Sequence, residues 1–129
     1  MKITQDLVNQ ALIKVGTSLL KKEYHDEWNE LNPTFGYCYT IAEVVYHFTD
    51  AKNIGAYCIS LDDGDTHWYV IADGKVLDFT AEQFLNEHIP YEKAKRKGFF
   101  KGSIKTDRGY ISKRAYQIAK IIEELEATG

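Results

Sequence analysis

The chain has 129 residues, of which 44% are hydrophobic and 13% aromatic. This length favours a single domain over residues 1–129, and the composition can fill a core, which excludes general disorder. Apolar runs are far shorter than the roughly 20 residues of a membrane span, and the first residues lack a signal-peptide core. We therefore expect a cytoplasmic protein without a membrane partner. A formal charge of −3 makes nucleic acid an unexpected partner for the molecule as a whole.

Residues 4–22 carry apolar side chains at steps of three and four, which predicts an amphipathic helix. The stretch that follows breaks this period and contains Asn-Pro and Gly, so we interpret it as a loop, with room for one helical turn at residues 26–31. A helical period returns with Cys38, Ile41, Val45 and Phe48. The second helix should therefore begin near Cys38 and be largely buried.

The pattern then becomes typical of strands in AYCISL, THWYVIA and KVLDF, the last two joined by Asp73-Gly74, a strong hairpin signal. Thr80 and Gln83 predict a capped short helix, and Ser112 is the expected cap of a final helix. Between them, residues 93–108 carry seven basic residues and one acid, and are predicted to be irregular. Antiparallel strands with helices packed on them make this an α+β fold.

Cys38 is the first candidate for chemistry. At the first turn of a helix, free backbone N–H groups and the helix dipole stabilise a thiolate, which is the form that acts as a nucleophile. The alternative is that Cys38 is simply the first apolar position of a buried stripe. With two cysteines and no export signal we expect no disulfide, and Cys58, inside a predicted strand, is interpreted as a buried inert thiol.

His67 and Asp78 strengthen the catalytic interpretation. A two-residue turn at Asp73-Gly74 pairs Ala72 with Lys75, which makes His67 and Asp78 diagonal neighbours on one face of the sheet. A carboxylate there would orient the imidazole, whose other nitrogen would take a proton from a thiol. The prediction is a Cys38–His67–Asp78 triad. The alternative is a polar cross-strand pair on a surface hairpin, or a bulged turn that separates the two side chains.

Four segments carry a resemblance to known proteins: NPTFGYC at 32–38, THW at 66–68, LDFTAEQF at 77–84 and SKRA at 112–115. The pattern resembles the papain-like superfamily of cysteine peptidases, amidases and transglutaminases, and within it the small YunG-like proteins of bacteria and phages. The resemblance implies a papain-like domain and a cysteine peptidase or amidase that forms a thioester intermediate, with no metal or organic cofactor.

Further roles follow from this resemblance. Asn32 lies six positions before Cys38, where papain-like peptidases place a glutamine that helps to bind the oxyanion. Tyr37, Tyr39 and Trp68 flank the proposed triad and would line a substrate cleft, although aromatic residues at such positions are as often part of the core. The partner would be a protein, a peptide or another amide-containing substrate.

Three alternatives remain open from sequence. The fold could be retained by a non-catalytic binding protein of the phage-inhibitor type. A zinc site could use the cysteines with some of the histidines, although no CxxC or HExxH unit is present. The basic segment 93–108, with Phe99 and Phe100, could hold single-stranded nucleic acid, although a solvated loop or a contact with an acidic partner is the simpler interpretation.

Overall fold

A computed structural model describes residues 1–85 and 87–128. Within these ranges the chain forms three α-helices and six strands. The helices are α1 (Gln5–Val15), α2 (Cys38–Phe48) and α3 (Lys113–Thr128). The strands are β1 (Ile54–Ser60), β2 (Thr66–Ala72), β3 (Lys75–Leu77), β4 (Lys95–Arg96), β5 (Ile104–Thr106) and β6 (Gly109–Ile111). Short 3₁₀ helices lie at Lys22–Tyr24, Ala81–Phe84 and Tyr91–Lys93.

The strands form two antiparallel sheets. Four of them are arranged in the order β3-β2-β1-β4, and β5 and β6 make a separate hairpin. The predicted hairpin register is confirmed, since Ala72 pairs with Lys75 across Asp73-Gly74. Both turn residues have positive φ, 50° and 80°, as a two-residue turn of this kind requires. The α+β fold class is therefore confirmed.

Helix α2 is at the centre of the packing, in contact with β2 on one side and α3 on the other. It buries even Glu43, which is 1% exposed. The carboxylate accepts hydrogen bonds from the backbone N–H (3.0 Å) and the hydroxyl (2.8 Å) of Ser112, and this pairing offsets much of the cost of burying it. The Ser112 hydroxyl in turn accepts from the Ala115 N–H at 3.2 Å, so the predicted cap of α3 is confirmed.

Three predicted elements differ from the structure. The first helix stops at Val15 because Gly16, at φ 57°, ends it with a hydrogen bond from its N–H to the Leu12 carbonyl. The predicted cap at Thr80 does not form in the described chain, where the segment is a 3₁₀ helix without a side-chain cap. The basic segment is not wholly irregular, since it contains β4, which pairs with β1, and β5, which pairs with β6 just beyond the segment.

No helix in the described residues is long and apolar enough to cross a membrane.

Candidate functional site

Cys38 is the first residue of α2, as predicted, and its side chain is partly exposed. The turn that leads into the helix passes through Gly36, whose φ of +78° suits glycine. Within the described residues α2 has no side-chain cap, so the N–H groups of its first turn have no side-chain acceptor. The positive end of the helix therefore lies beside the sulfur, an environment that stabilises negative charge.

His67 lies on β2 and Asp78 immediately follows β3. The hairpin register brings the His67 Nε2 atom to 2.7 Å from Asp78 Oδ2, which is a short charge-assisted hydrogen bond. The two side chains are 0% and 4% exposed. The structure thus places the predicted partners on one face of the sheet and removes their pair from water.

Asp78 has two further donors. The Tyr91 hydroxyl donates to the same oxygen, Oδ2, at 2.6 Å, and the Thr80 hydroxyl lies 3.5 Å from Oδ1. Sequence reasoning did not find Tyr91, because an irregular segment separates it from Asp78. These donors restrict the rotation of the carboxylate and so fix the imidazole that it binds.

Opposing effects set the charge of His67. Burial lowers the pKa of the ring, but the hydrogen bond to Asp78 and the negative charges of Asp78 and the nearby Cys38 raise it, with a net pKa of about 9. The imidazole is therefore protonated at neutral pH.

The second ring nitrogen of His67, Nδ1, is buried and has no hydrogen-bond partner among the described residues. A buried donor without a partner is costly and calls for an explanation. The Cys38 sulfur lies 3.7 Å from the Thr66 carbonyl oxygen, next to His67 in the chain. Nδ1 is thus the ring nitrogen left to exchange a proton with a thiol or a substrate.

Cys38 opens into a cavity of about 670 Å³. Tyr39 and Trp68 are in its wall, as predicted, with their ring centroids 5.0 Å apart in an edge-to-face contact. The cavity also carries charged side chains of both signs: Lys21, Lys97, Arg114, Glu27, Asp63 and Asp65. We call this space the thiol cavity.

Tyr37 and Asn32 lie elsewhere. Tyr37 is fully buried, and its hydroxyl donates to the Gly16 carbonyl at 2.5 Å, so the structure gives it a core position rather than a place in the cleft. Asn32 is not part of the described cavity wall, and its amide donates to the Gln83 carbonyl at 3.3 Å. Gln83, which we predicted only as a capping residue, lines the cavity instead.

The second thiol has a different environment. Cys58 is 8% exposed in the interior of β1, opposite Trp68. Burial raises its pKa, which disfavours the thiolate. In the described residues, no group of three His, Cys, Asp or Glu side chains is placed to hold a metal ion.

The comparisons with known proteins give one match. The family model described as YunG protein matches residues 5–120, which is most of the chain and includes all three members of the proposed triad. Neither the curated proteins nor the solved structures yield a significant match. On the strength of the family match, this chain belongs to the YunG protein family.

Proposed function

We propose that this protein is a cysteine-dependent hydrolase or acyltransferase of papain-like type that acts on an amide or related acyl bond. The observation that carries the proposal is the buried His67, which is bound to Asp78 through Nε2 and whose Nδ1 has no partner in the described part of the chain, near a partly exposed Cys38. A nucleophile, a base and a group that orients the base are the parts that covalent acyl transfer needs.

In the first half of the reaction, the Cys38 thiolate attacks the acyl carbon and forms a C–S bond. The carbonyl electron pair moves to oxygen and gives a tetrahedral oxyanion. When the oxyanion collapses, the C–N bond breaks, and the His67 imidazolium gives its proton to the departing amine. The products are a thioester on Cys38 and a neutral imidazole.

In the second half, His67 acts as a base. It takes a proton from water or from a second amine as that group attacks the thioester carbon, and the C–S bond breaks to release the thiolate. Water yields a carboxylic acid and an amine yields a new amide. The imidazolium–thiolate pair is restored, so the cycle needs no oxidant, reductant or cofactor.

The oxyanion needs hydrogen-bond donors near Cys38. The Cys38 backbone N–H, at the uncapped start of α2, is one. The Gln83 amide is better placed than Asn32 to be the other, since it lines the thiol cavity while one of its N–H groups donates to the Thr80 carbonyl at 3.0 Å. Asn32, whose amide donates to the Gln83 carbonyl, then helps to fix the Gln83 backbone.

The lining of the thiol cavity suits a substrate that carries both apolar and charged groups around its amide bond. The thiol cavity has aromatic walls and equal numbers of basic and acidic side chains, three of each. Such a lining suits a peptide, an isopeptide, a glutamine side chain or a cell-wall peptide fragment, all of which combine apolar and charged groups.

The proposal is tested with p-nitrophenyl acetate, an activated acyl donor that does not require the natural substrate. We expect a burst of one equivalent of p-nitrophenolate and an acetyl group on Cys38, identified by mass spectrometry of peptides. Cys38→Ala should remove the burst. The matched variant Cys58→Ala removes the other thiol and should keep it.

His67→Asn should slow acylation by two or more orders of magnitude, because members of a triad act as a unit. Melting temperatures of all the variants check that they are folded. Acetylation of Cys58 in preference to Cys38, or an unchanged burst in folded His67→Asn protein, would contradict the proposal and favour a binding protein that has kept the fold.

A further inference from the structure

A second cavity lies beside the thiol cavity, and the proposed triad does not use it. Its volume is about 300 Å³, at the lower end of the range for small-molecule sites. Four basic side chains line it, Arg96, Lys97, Lys101 and Arg108, whereas no Asp or Glu of the described chain does so. We call it the basic cavity.

No acidic side chain of the described residues pairs with the basic groups of this cavity. The ion pairs found in the described residues are His67–Asp78 and Lys120–Glu123, and neither involves a residue of this cavity. Four positive charges close together repel one another and weaken the fold. In a molecule whose formal net charge is −3, such a concentration indicates a place for an anion.

Two of the four basic groups are held in fixed positions. The Arg108 guanidinium donates to the carbonyls of Tyr46 (2.8 Å), Thr49 (2.7 Å) and Ala51 (3.0 Å), at and just beyond the end of α2. Arg96 donates to the Ile54 carbonyl at 3.3 Å. These bonds leave further N–H groups on each guanidinium, so both arginines can still donate to a ligand. Lys97 and Lys101 are exposed and can adjust to it.

Aromatic rings complete the wall. Phe99 is held in place by Tyr46, with centroids 5.5 Å apart, and by Trp68, also at 5.5 Å. At the rim, Phe100 is 73% exposed and stacks on Tyr39 with centroids 5.5 Å apart, and Tyr110 is 50% exposed. Exposed rings next to basic groups offer a planar ligand a surface to stack on.

We propose that the basic cavity binds a small phosphorylated ligand with a planar ring, of the nucleoside phosphate class. Four cations exceed what a single carboxylate requires and match the several charges of a phosphate or diphosphate. A volume of about 300 Å³ suits one nucleotide rather than a strand. Since Lys97 and Phe100 line both cavities, the ligand would lie next to the thiol cavity, but the proposal does not depend on the chemistry of Cys38.

The test is a calorimetric titration of the whole protein with ADP, with adenosine and inorganic phosphate as separate probes. We expect ADP to bind at least tenfold more tightly than either part. Lys101→Ala should weaken ADP binding by about tenfold, since it removes a charged hydrogen-bond donor. Phe100→Ala should reduce the advantage of ADP over phosphate.

The matched control is Lys105→Ala, which removes an equal charge from an exposed position on β5, outside the basic cavity. It should change ADP affinity less than twofold, and melting temperatures check that every variant is folded. The proposal is overturned if ADP does not bind at millimolar concentration, if phosphate binds as tightly as ADP, or if Lys105→Ala is as damaging as Lys101→Ala. Displacement of ADP by a short single-stranded oligonucleotide at far lower concentration would also overturn it, in favour of nucleic acid.

Discussion

At the scale of single residues, one carboxylate oxygen does two things. Asp78 Oδ2 accepts hydrogen bonds both from His67 Nε2 and from the Tyr91 hydroxyl. The histidine depends on this oxygen for its charge, because burial alone lowers its pKa. The tyrosine supplies no charge and fixes only where the oxygen lies. Charge and position can therefore be separated by two substitutions that act on the same atom.

Asp78→Asn removes the charge and keeps the shape. We expect the pKa of His67 to fall well below 9, since burial, which favours the neutral ring, is then opposed only by Cys38. Acylation of Cys38 should fall by two or more orders of magnitude, as expected when the orienting carboxylate of a triad is lost. Titration of the His67 ring proton by NMR and the p-nitrophenolate burst measure the two effects.

Tyr91→Phe is the contrasting change, because it leaves the carboxylate ionised with one donor fewer. The pKa of His67 should stay raised, and acylation should fall by only about tenfold, the value of one lost hydrogen bond of ~1.4 kcal/mol. If Tyr91→Phe lowered the pKa of His67 as far as Asp78→Asn does, Tyr91 would control the charge of His67, and the claim that it only positions Asp78 would be wrong.

Sequence reasoning reached Asp78 but not Tyr91, for a physical reason. Two strands joined by a two-residue turn have a fixed register, so residues opposite each other can be counted from Asp73-Gly74. Tyr91 comes from a 3₁₀ helix after an irregular stretch, where no periodicity predicts a direction. Gln83 also lies on a short 3₁₀ helix, so the sequence did not predict that Gln83, rather than Asn32, lines the thiol cavity.

At the scale of elements, the start of α2 decides where Cys38 lies. Gly36 has a φ of +78°, and a Cβ atom added there would be 2.8 Å from Leu20 Cδ1. Gly36→Ala should therefore incur both backbone strain and a steric clash. We expect a loss of about 2–3 kcal/mol in the free energy of unfolding, measured by urea denaturation.

Gly64 provides the matched control, because its φ is +89° and nothing lies within 4 Å of an added Cβ. Gly64→Ala should lower the free energy of unfolding by only about 1 kcal/mol, because it incurs backbone strain without a clash. The difference between the two variants isolates the contact with Leu20. Equal losses would mean that the start of α2 yields easily and does not hold Cys38 in place.

The predicted elements were most accurate where local patterns and tertiary packing agree. The apolar run of β2 matches a strand buried on both faces, the Asp73-Gly74 pair matches a two-residue turn, and the apolar spacing of α2 matches its burial. The basic segment has no such spacing, and its strands form by pairing with β1 and by the hairpin in which Thr106 faces Gly109. The end of α1 was missed because an apolar pattern continues beyond the glycine that stops the helix.

At the scale of the whole molecule, the His67–Asp78 pair joins β2 to the chain that follows β3. Both side chains of the pair are buried and charged at neutral pH. The pKa of His67 is about 9 in the folded state, against 6.5 as its ordinary value. Between these two pH values the folded protein holds a proton that the unfolded chain has released. The stabilisation is therefore complete below about pH 6.5 and is lost as pH rises to about 9.

The other groups with shifted pKa values affect stability in different pH ranges from His67. His47 has a pKa lowered by burial and by Arg108, so it weakens the fold only as pH falls below 6.5. Tyr37, with a pKa raised by burial to about 12, acts only at high pH, where the unfolded tyrosine ionises near 10. Between pH 6.5 and 9, the titration of His67 should thus dominate the change in stability apart from that of the thiols.

In Cys38→Ala protein, where no thiol beside His67 can give up a compensating proton, we accordingly expect the free energy of unfolding to decrease by an amount on the order of 1–2 kcal/mol between pH 6.5 and 9. Urea denaturation at half-unit pH steps measures it. Asp78→Asn in the same background is the reference, because it keeps Cys58 and the environments of the other three histidines but removes the main cause of the raised pKa. The stability of this double variant should be lower than that of Cys38→Ala protein at pH 6.5, and the two should converge near pH 9. Parallel curves over this range would show that His67 is not held in the protonated form by Asp78, and the imidazolium–thiolate pair would lose its physical basis.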